Sequence, residues 1–232
     1  RLSAIEDLGG IEVLCSDKTG TLTENKLEIA DVSAPDRQAA IFLANLASAF
    51  DEETRTEPFD IALEKGLSAD QVKALAACKK LDEAPFDPHV KYNAALASTA
   101  SGRLLVVRGA LESVMPLCPS LSSSDKDKIS AWAAAEGRQG HRTLAVASCP
   151  AGDGPEIPKD IDKQDLVFGG VISFLDPIKD STPEAVKQAG VLGVKLVIIT
   201  GDSPEVAGAV AKQIGLTDSE DFVITGDDWL VK

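Results

Sequence analysis

One short stretch near the beginning of the chain limits the folds that this sequence can adopt. The apolar run Ile11–Cys15 leads into Ser16 and Asp17, and the acid opens the sequence Asp-Lys-Thr-Gly-Thr over residues 17–21. An apolar run that gives way to an acid, a lysine, hydroxyls and a glycine indicates a strand that breaks into a turn. Open parallel sheets bind ligands at the carboxyl ends of their strands, so Asp17 is predicted to lie in a phosphate-binding turn. A helix cap or a plain surface turn is the alternative.

Composition and charge exclude several classes of protein. The 232 residues suffice for one large or two modest domains, and a hydrophobic fraction of 44% is ordinary for a soluble globular protein. With 23 basic and 37 acidic residues the net charge is −14, which argues against nucleic acid and direct membrane contact. No apolar run approaches the roughly 20 residues that span a bilayer, and no signal peptide is visible. The four cysteines lack CxxC spacing, so reduced thiols are favoured over zinc or disulfides.

Two segments predict a parallel α/β core. The first is the strand candidate 11–16, and the second runs from Leu166 to the end of the chain, with strand candidates at Leu166–Phe174 and Val194–Thr200. Each of the last two strands is followed by a helix start signal. Strand, helix, strand and helix in this order predict a right-handed parallel unit.

The two helices of that core carry the same kind of signal at each end. Thr182 is predicted to cap the first helix, with Pro183 at its first position and Gly190 as its stop. Ser203 and its following Pro-Glu repeat the start signal for the second helix, and Gly215 repeats the stop.

The middle of the chain has a different pattern, with Ala-rich helical stretches and alternating strands. Helices are predicted at Pro35–Phe50, Pro58–Lys65, Ser68–Lys79 and Asp125–Glu136, and strands at Tyr92–Thr99, Arg103–Arg108 and Arg142–Ser148. Gly152–Asp162 is predicted to be a loop. An α+β insert therefore interrupts the α/β core.

Three further motifs accompany the first one. They are Pro-Phe-Asp-Pro-His-Val-Lys at 85–91, Asp-Pro-Ile-Lys-Asp at 176–180 and Thr-Gly-Asp at 200–202. With these motifs in this order, the chain resembles the cytoplasmic part of cation-transporting P-type ATPases. Short strings such as Leu14-Cys15-Ser16 and Phe86-Asp87-Pro88 most resemble the plasma-membrane proton pumps of that family.

The resemblance implies a fold, a division into domains and a place in the cell. The fold is α/β, a partial haloacid-dehalogenase-like parallel-sheet core interrupted by an α+β nucleotide-binding domain with an antiparallel sheet. Residues 1–26 and 176–232 are expected to form two segments of a phosphorylation domain, the second one truncated, and 27–175 the nucleotide-binding domain. The expected partners are ATP and the transmembrane and actuator domains of the parent pump, and the chain is expected to be a soluble part at the cytoplasmic face of the plasma or inner membrane.

In this family the acid that matches Asp17 attacks the γ-phosphate of ATP and becomes an aspartyl phosphate. A carboxylate can hold a phosphoryl group covalently, and Lys18 and Thr19 share its loop. Because carboxylate and phosphate repel each other, Mg²⁺ is expected beside Asp17, with Asp17 and Thr19 as its metal site.

Soluble phosphatases with this kind of core carry a second acid two residues after the nucleophile. This chain has Thr19 there, so hydrolysis of the acyl phosphate lacks a general acid–base worth ~10²–10⁴-fold in rate. A long-lived phosphoenzyme suits a pump, although a soluble aspartyl-phosphate phosphatase with a large cap domain remains an alternative.

The other core motifs have implied roles as well. Thr200 would contact the phosphoryl group, with Gly201 and Asp202 organising the site beside a helix N-terminus that favours anions. A capped strand-to-helix turn is the alternative. Asp176 matches an acid of the family's hinge and is expected to contribute to cofactor binding, while simple loop charges at Asp176 and Asp180 are the other interpretation.

The insert carries the implied nucleotide site. Phe86 would stack on adenine and Lys91 would lie in the pocket, since base stacking on an aromatic ring is worth ~1–3 kcal/mol. A core phenylalanine is the alternative for Phe86. Arg108 stands where the family has lysine, and Gly109 would let the backbone approach the nucleotide.

The resemblance implies two further nucleotide-binding residues. Arg142 matches an arginine that reaches the phosphates, and Asp60 matches an acid near the adenine amino group, for which an exposed helix-face acid is the alternative. The family's Gly-Asp-Gly-x-Asn-Asp motif does not follow Asp202. The chain is therefore expected to bind ATP weakly and to phosphorylate itself inefficiently, and a nucleotide-binding module without chemistry is the third possibility.

Overall fold

A computed structural model describes residues 10–48, 50, 55–219, 223–226 and 228. They form two compact units. The first, called the parallel unit, contains the residues up to Lys26, Gly137–Arg142 and the residues from Asp176 onward. The second, called the antiparallel unit, contains Leu27–Glu136 and Thr143–Leu175.

Strands and helices follow each other along the whole described chain. The strands are β1 (Val13–Asp17), β2 (Glu28–Ser33), β3 (Lys79–Asp87), β4 (Tyr92–Thr99), β5 (Gly102–Gly109), β6 (Arg142–Pro150), β7 (Val167–Leu175) and β8 (Lys195–Ile199). The helices are α1 (Arg37–Leu46), α2 (Pro58–Lys65), α3 (Ala69–Ala76), α4 (Leu111–Val114), α5 (Ser123–Gly137), α6 (Thr182–Val191) and α7 (Pro204–Gln213). Within the described ranges, no helix is long and apolar enough to cross a membrane.

The antiparallel unit is built on a six-stranded sheet with the order β2-β7-β6-β5-β4-β3. The β4–β5 hairpin pairs Tyr92 with Gly109 and Thr99 with Gly102, so Ala100 and Ser101 form its two-residue turn. Helix α1, capped by the Asp36 side chain, contributes Ile41 to the main core cluster of this unit. Phe59 and Phe174 meet edge to face in the same cluster, with 5.0 Å between ring centroids.

Strand β7 corrects the predicted membership of the parallel core. It lies between β2 and β6 in the six-stranded sheet and pairs antiparallel with β2. Its residues from Gly170 to Phe174 are buried. A continuous apolar run indicates a strand covered on both faces, and this property does not reveal which sheet the strand joins.

Both edge strands of this sheet, β2 and β3, are absent from the sequence prediction. Strand β3 has the sequence Lys-Lys-Leu-Asp-Glu-Ala-Pro-Phe-Asp, and its register against β4 shifts twice. Charges, proline and irregular pairing are typical of edge strands, because they prevent pairing with another chain. Phe86 therefore lies on an edge strand.

The parallel unit contains the pair β1 and β8, with Val13 opposite Lys195 and Asp17 opposite Ile199. Its core consists of Leu22, Val186, Val210 and Ile214, against which Leu196 and Ile198 of β8 pack. Helices α6 and α7 therefore pack against β8.

The ends of the two helices differ in how well they were predicted. Ser203 caps α7 as expected, because its hydroxyl accepts a hydrogen bond from the Val206 amide. Thr182 does not cap α6: it is the first helical residue, and its hydroxyl donates to the Leu22 carbonyl at 2.8 Å. The left-handed glycine after α6 is Gly193, with φ of 79°, and the predicted stop at Gly190 lies inside the helix.

The cysteines are predicted to differ sharply in reactivity. Burial raises the pKa of the Cys118 thiol to about 11, whereas the Cys15 side chain is exposed. Because the thiolate is the nucleophile, iodoacetamide at pH 8 should label Cys15 and spare Cys118, with Cys118 labelling rising as the pH approaches 11. Mass spectrometry of the native protein measures this, and a Cys15→Ser variant serves as control. Equal labelling of both cysteines at pH 8 would contradict the prediction.

Candidate functional site

Two predicted motifs meet at the carboxyl end of the parallel strand pair. Because Asp17 is opposite Ile199, the loop that follows Asp17 and the turn that begins at Thr200 leave adjacent strand ends. Asp17 is exposed and Thr200 half-buried. This edge is where parallel sheets bind their ligands, so the two strand ends define the candidate site of the parallel unit.

The loop after Asp17, residues 18–22, makes one wide helical turn interrupted by a kink. Thr19 has extended backbone angles, and Gly20 has φ of 77°, a conformation that glycine adopts without strain. The turn closes when the Thr23 amide donates to the Lys18 carbonyl at 3.2 Å. Thr19 is half-buried and the Asp17 carboxylate faces solvent.

Lys18, the first residue of the loop, is a buried cation with 1% of its side chain exposed. Its ammonium lies 2.8 Å from Asp202 Oδ2 and 3.8 Å from Asp176 Oδ2. The other oxygen of Asp202 is 3.0 Å from Arg142 Nε. Two cations and two carboxylates thus form a compensated cluster beneath the loop.

Asp176 is not a simple loop charge, because its side chain is only 2% exposed. Its Oδ2 accepts a hydrogen bond from the Thr23 hydroxyl at 2.6 Å. Its Oδ1 is buried and has no hydrogen-bond partner among the described residues. Asp180, in contrast, is exposed, as expected of a surface charge.

The Thr200–Asp202 turn has the structure that the alternative interpretation of its sequence predicts. The Asp202 amide donates to the Thr200 hydroxyl at 3.2 Å, and Ser203 then caps α7, so the turn is a capped connection from strand to helix. Its Asp202 carboxylate also belongs to the ion-pair cluster, while Gly201 is exposed. The predicted phosphoryl contact of Thr200 stays a prediction.

In the antiparallel unit the structure joins two of the predicted nucleotide residues. Arg108 Nη1 lies 2.7 Å from Asp60 Oδ1, with 11% and 5% of the two side chains exposed. Arg108 also donates to the Ala44 carbonyl and to the Asn93 side chain, both at 3.3 Å. The alternative of an exposed helix-face acid at Asp60 is therefore wrong.

Phe86 and Lys91 lie on and after the edge strand β3. Phe86 is 60% exposed and belongs to no core cluster of the described residues, so the core-phenylalanine alternative is wrong. Lys91 is exposed, has φ of 57° and pairs with Glu112 at 3.1 Å. Both side chains are thus open to a ligand.

Gly109 has a structural role that the sequence did not predict. A Cβ at this position would collide with the Lys91 carbonyl and with Tyr92 of β4. The missing side chain is therefore required first by the neighbouring strand, and its predicted approach to a nucleotide stays a prediction.

Arg142 stands apart from the other predicted nucleotide residues. It belongs to the parallel unit, where it pairs with Asp202, whereas Asp60, Phe86, Lys91 and Arg108 belong to the antiparallel unit. A groove of about 360 Å³ in the antiparallel unit is lined by residues of β2, α1 and α2 and contains none of the predicted nucleotide residues.

Several polar residues of these sites were missed in the sequence. Thr23 is fully buried beside Asp176, and its signal is a hydroxyl placed soon after the phosphate motif. The Arg55 side chain donates to Asn45 Oδ1 at 2.7 Å and to the Asp60 carbonyl at 3.0 Å. The sequence signal for this contact is Asn45 itself, an asparagine in an Ala-rich apolar helix, because a buried amide needs a hydrogen-bond partner.

The described residues contain no group of three or more His, Cys, Asp or Glu side chains able to hold a metal ion. The magnesium site predicted at Asp17 and Thr19 therefore stays a prediction.

Comparison with known proteins shows the family of the chain. The family described as P-type ATPase, cytoplasmic domain N, matches residues 39–181. The chain is 32% identical over 243 residues to the magnesium-transporting ATPase, P-type 1, of Escherichia coli K12. This match covers 98% of this chain and 26% of the relative. It is 29% identical over 238 residues to a probable cation-transporting P-type ATPase of Mycoplasma pneumoniae, covering 98% and 27%.

A third relative is the calcium-transporting ATPase 1 of Lactococcus lactis, 28% identical over 257 residues, with 98% of this chain and 29% of the relative covered. The chain belongs to the P-type ATPase family and contains its cytoplasmic domain N. It spans about a quarter of the length of the curated relatives it matches. These relatives are named for magnesium, calcium or an unspecified cation, and the finer resemblance to proton pumps stays a prediction.

The Asp60–Arg108 pair is predicted to be a strong stability determinant. Asp60→Asn leaves the Arg108 charge buried without its partner, which should lower the free energy of unfolding by about 3–5 kcal/mol. The matched control is Asp70→Asn, which removes an exposed partner of Lys73 and should have little effect. Urea unfolding measures both variants.

Replacing both partners tests the cause. A double variant, Asp60→Leu with Arg108→Met, should be more stable than Asp60→Asn alone, because no charge remains buried without a partner. Equal losses in Asp60→Asn and Asp70→Asn would show that the pair has no special role.

Proposed function

We propose that this chain is the nucleotide-binding and phosphoryl-acceptor region of an ATP-driven cation pump. The antiparallel unit binds Mg-ATP, and Asp17 accepts the γ-phosphate as an aspartyl phosphate. The observation that carries the proposal is the parallel pairing of β1 with β8, which sets the Asp17 loop beside Thr200 at one sheet edge. The family membership supports the same conclusion.

The acceptor chemistry follows from the exposure of Asp17 and the turn beside it. A carboxylate oxygen of Asp17 attacks the γ-phosphorus, the new O–P bond forms, and the bond to the β-phosphate oxygen breaks as ADP leaves. The Thr200 hydroxyl and the N-terminus of α7 lie at the neighbouring strand end, and a helix N-terminus favours the negative charge of a phosphoryl group.

The oxygens of the exposed Asp17 and the half-buried Thr19 fit a hard cation, which prefers oxygen ligands. Mg²⁺ bound there would neutralise part of the phosphate charge. Lys18 adds a fixed positive charge beneath the loop, held by Asp202 and Asp176. Because the side chain is buried, we infer that Lys18 orients the loop and its acids.

Thr19 explains why the intermediate would persist. The residue two positions after the nucleophile offers no carboxylate to activate water, so hydrolysis of the acyl phosphate lacks a factor of ~10²–10⁴. The missing carboxylate separates a pump from a phosphatase with the same type of core. For the parallel unit we propose a haloacid-dehalogenase-like core. The parent protein then couples the long-lived phosphoenzyme to cation transport through its transmembrane and actuator domains.

The antiparallel unit offers the features that a nucleotide site needs. Phe86 presents an open aromatic face for the adenine ring, and Lys91 lies five positions later with an exposed ammonium. Arg108 is held in place by Asp60, so its guanidinium is oriented before any ligand arrives. We propose that Arg142, which pairs with Asp202, reaches the phosphates.

Nucleotide titration tests the binding half of the proposal. Phe86→Ala should weaken ATP binding by about 5- to 150-fold, because it removes a stacking interaction worth ~1–3 kcal/mol. The control is Leu81→Ala on the same edge strand, another exposed apolar residue, which should leave the Kd within about twofold. Isothermal calorimetry measures both variants, and equal Kd values for Phe86→Ala and wild type would refute the assigned adenine site.

The same preparation tests the acceptor. Asp17→Asn should keep the wild-type affinity for ATP and lose any hydroxylamine-sensitive label from γ-labelled ATP, because only the carboxylate forms an acyl phosphate. Fast turnover of a generic aryl phosphate by the wild-type chain would favour the phosphatase alternative instead.

A further inference from the structure

The segment 176–182 makes a set of contacts to the acceptor loop that the proposed chemistry leaves unexplained. At its first residue, Asp176 accepts a 2.6 Å hydrogen bond from the Thr23 hydroxyl. Three residues later, the Lys179 ammonium donates to the Gly20 carbonyl at 2.6 Å, and the Lys179 amide donates to the Leu22 carbonyl at 3.1 Å. The Thr182 hydroxyl adds a second bond to Leu22, at 2.8 Å.

Thr23 joins this segment to the loop through one fully buried hydroxyl. The hydroxyl donates a hydrogen bond to Asp176 Oδ2 and accepts one from the Gly20 amide at 3.2 Å. The Lys18 carbonyl lies 3.3 Å from the same oxygen. An isolated antiparallel β-bridge between Thr23 and Ile178 keeps the two backbones adjacent. The hydroxyl therefore satisfies a donor in the loop and an acceptor in the segment at the same time.

Gly20 is consequently held on both sides of its backbone. Thr23 fixes its amide and Lys179 fixes its carbonyl. Gly20 is also the residue with φ of 77°, where the chain is most free to choose another conformation. Fixing both groups selects one conformation of the loop, and hence one direction for the preceding residues Asp17–Thr19.

We propose that Thr23 is a positioning residue for the phosphoryl acceptor, with Asp176 as its anchor and Lys179 as the opposing clamp. The effect on phosphoryl transfer rests on the proposed function, whereas the anchoring of Gly20 does not. The hydroxyl holds Asp17 in the geometry for attack, and small displacements of a reacting group lower rates strongly.

Asp176 depends on Thr23 as much as the loop does. Of its two carboxylate oxygens, Oδ1 has no hydrogen-bond partner among the described residues, and Oδ2 accepts from Thr23. The Lys18 ammonium is 3.8 Å away and is held more closely by Asp202. Without the hydroxyl, this buried carboxylate keeps only a distant charge partner, so the anchor itself is expected to move.

The test compares Thr23→Val, which keeps the shape and removes the hydroxyl, with Thr23→Ser, which keeps the hydroxyl. The first readout is amide hydrogen exchange at Gly20. We expect Thr23→Val to speed exchange about tenfold or more and Thr23→Ser to restore the wild-type rate, because only the valine variant leaves the Gly20 amide without its acceptor. Thr99→Val, which removes a hydroxyl from the antiparallel unit, should leave Gly20 unchanged.

The second readout is the initial rate of acyl-phosphate formation on Asp17 against the concentration of Mg-ATP. Thr23→Val should lower the maximal rate by about 10- to 100-fold while the half-saturating concentration stays within twofold, and Thr23→Ser should recover the maximal rate. A change confined to the half-saturating concentration would refute the positioning role.

The outcomes separate this inference from the proposed function. If Gly20 exchange is the same in Thr23→Val and wild type, the anchor is wrong even when Asp17 is phosphorylated. If wild type forms no acyl phosphate, the proposed chemistry fails, and Gly20 exchange still decides the anchor. Should Thr23→Val not fold, Lys179→Met removes the opposing bond to Gly20 and must also speed Gly20 exchange if the clamp is correct.

Discussion

The parallel unit depends on the burial of one ammonium group. Lys18 is 1% exposed, and the desolvation of its charge is offset only when Asp202 and Asp176 stand within 2.8 and 3.8 Å of it. These acids come from the turn after β8 and from the segment where the chain returns to this unit. The Asp17 loop therefore takes its native form only after distant parts of the sequence have assembled, which makes the acceptor site a product of the whole unit.

The same principle limits how strongly this acidic chain can attract an anion. Each cation that the sequence assigns to a nucleotide or phosphate has an acidic partner: Lys18 and Arg142 pair with Asp202, Arg108 with Asp60, and Lys91 with Glu112. The chain has a net charge of −14. In the proposed function, ATP must therefore compete with carboxylates for every one of these groups. The pairs orient the cations before binding and weaken their net attraction for phosphate. Under the proposed function, affinity for ATP therefore comes largely from stacking on Phe86.

Local signals in the sequence predicted elements better than they predicted partners. Helix α2 at Pro58–Lys65 and strand β4 at Tyr92–Thr99 have the predicted bounds, because helix and strand ends are set by signals within a few residues, such as Pro58 and Gly66 at the ends of α2. The edge strands β2 and β3 were missed, since an edge needs no apolar alternation. Strand β7 was assigned to the wrong sheet, because burial on both faces does not identify neighbours. Motifs located Asp17 and Asp202, whereas the partners of Thr23 and Asp60 depend on contacts between distant residues that no local pattern encodes.

Arg108 shows how a departure from a family pattern becomes interpretable once its neighbours are known. Arginine at a position where the family resemblance implies lysine needs partners that match a planar fork of donors. Here Asp60, the Ala44 carbonyl and Asn93 supply acceptors around the guanidinium, and Asn93 is itself held by the Ala47 carbonyl at 2.6 Å. A lysine carries its donors on one nitrogen, whereas Arg108 uses two, Nε toward Asn93 and Nη1 toward Asp60 and the Ala44 carbonyl. Arg108, Asp60 and Asn93 therefore form one hydrogen-bonded group. The effect of lysine at position 108 depends on both partners of the arginine.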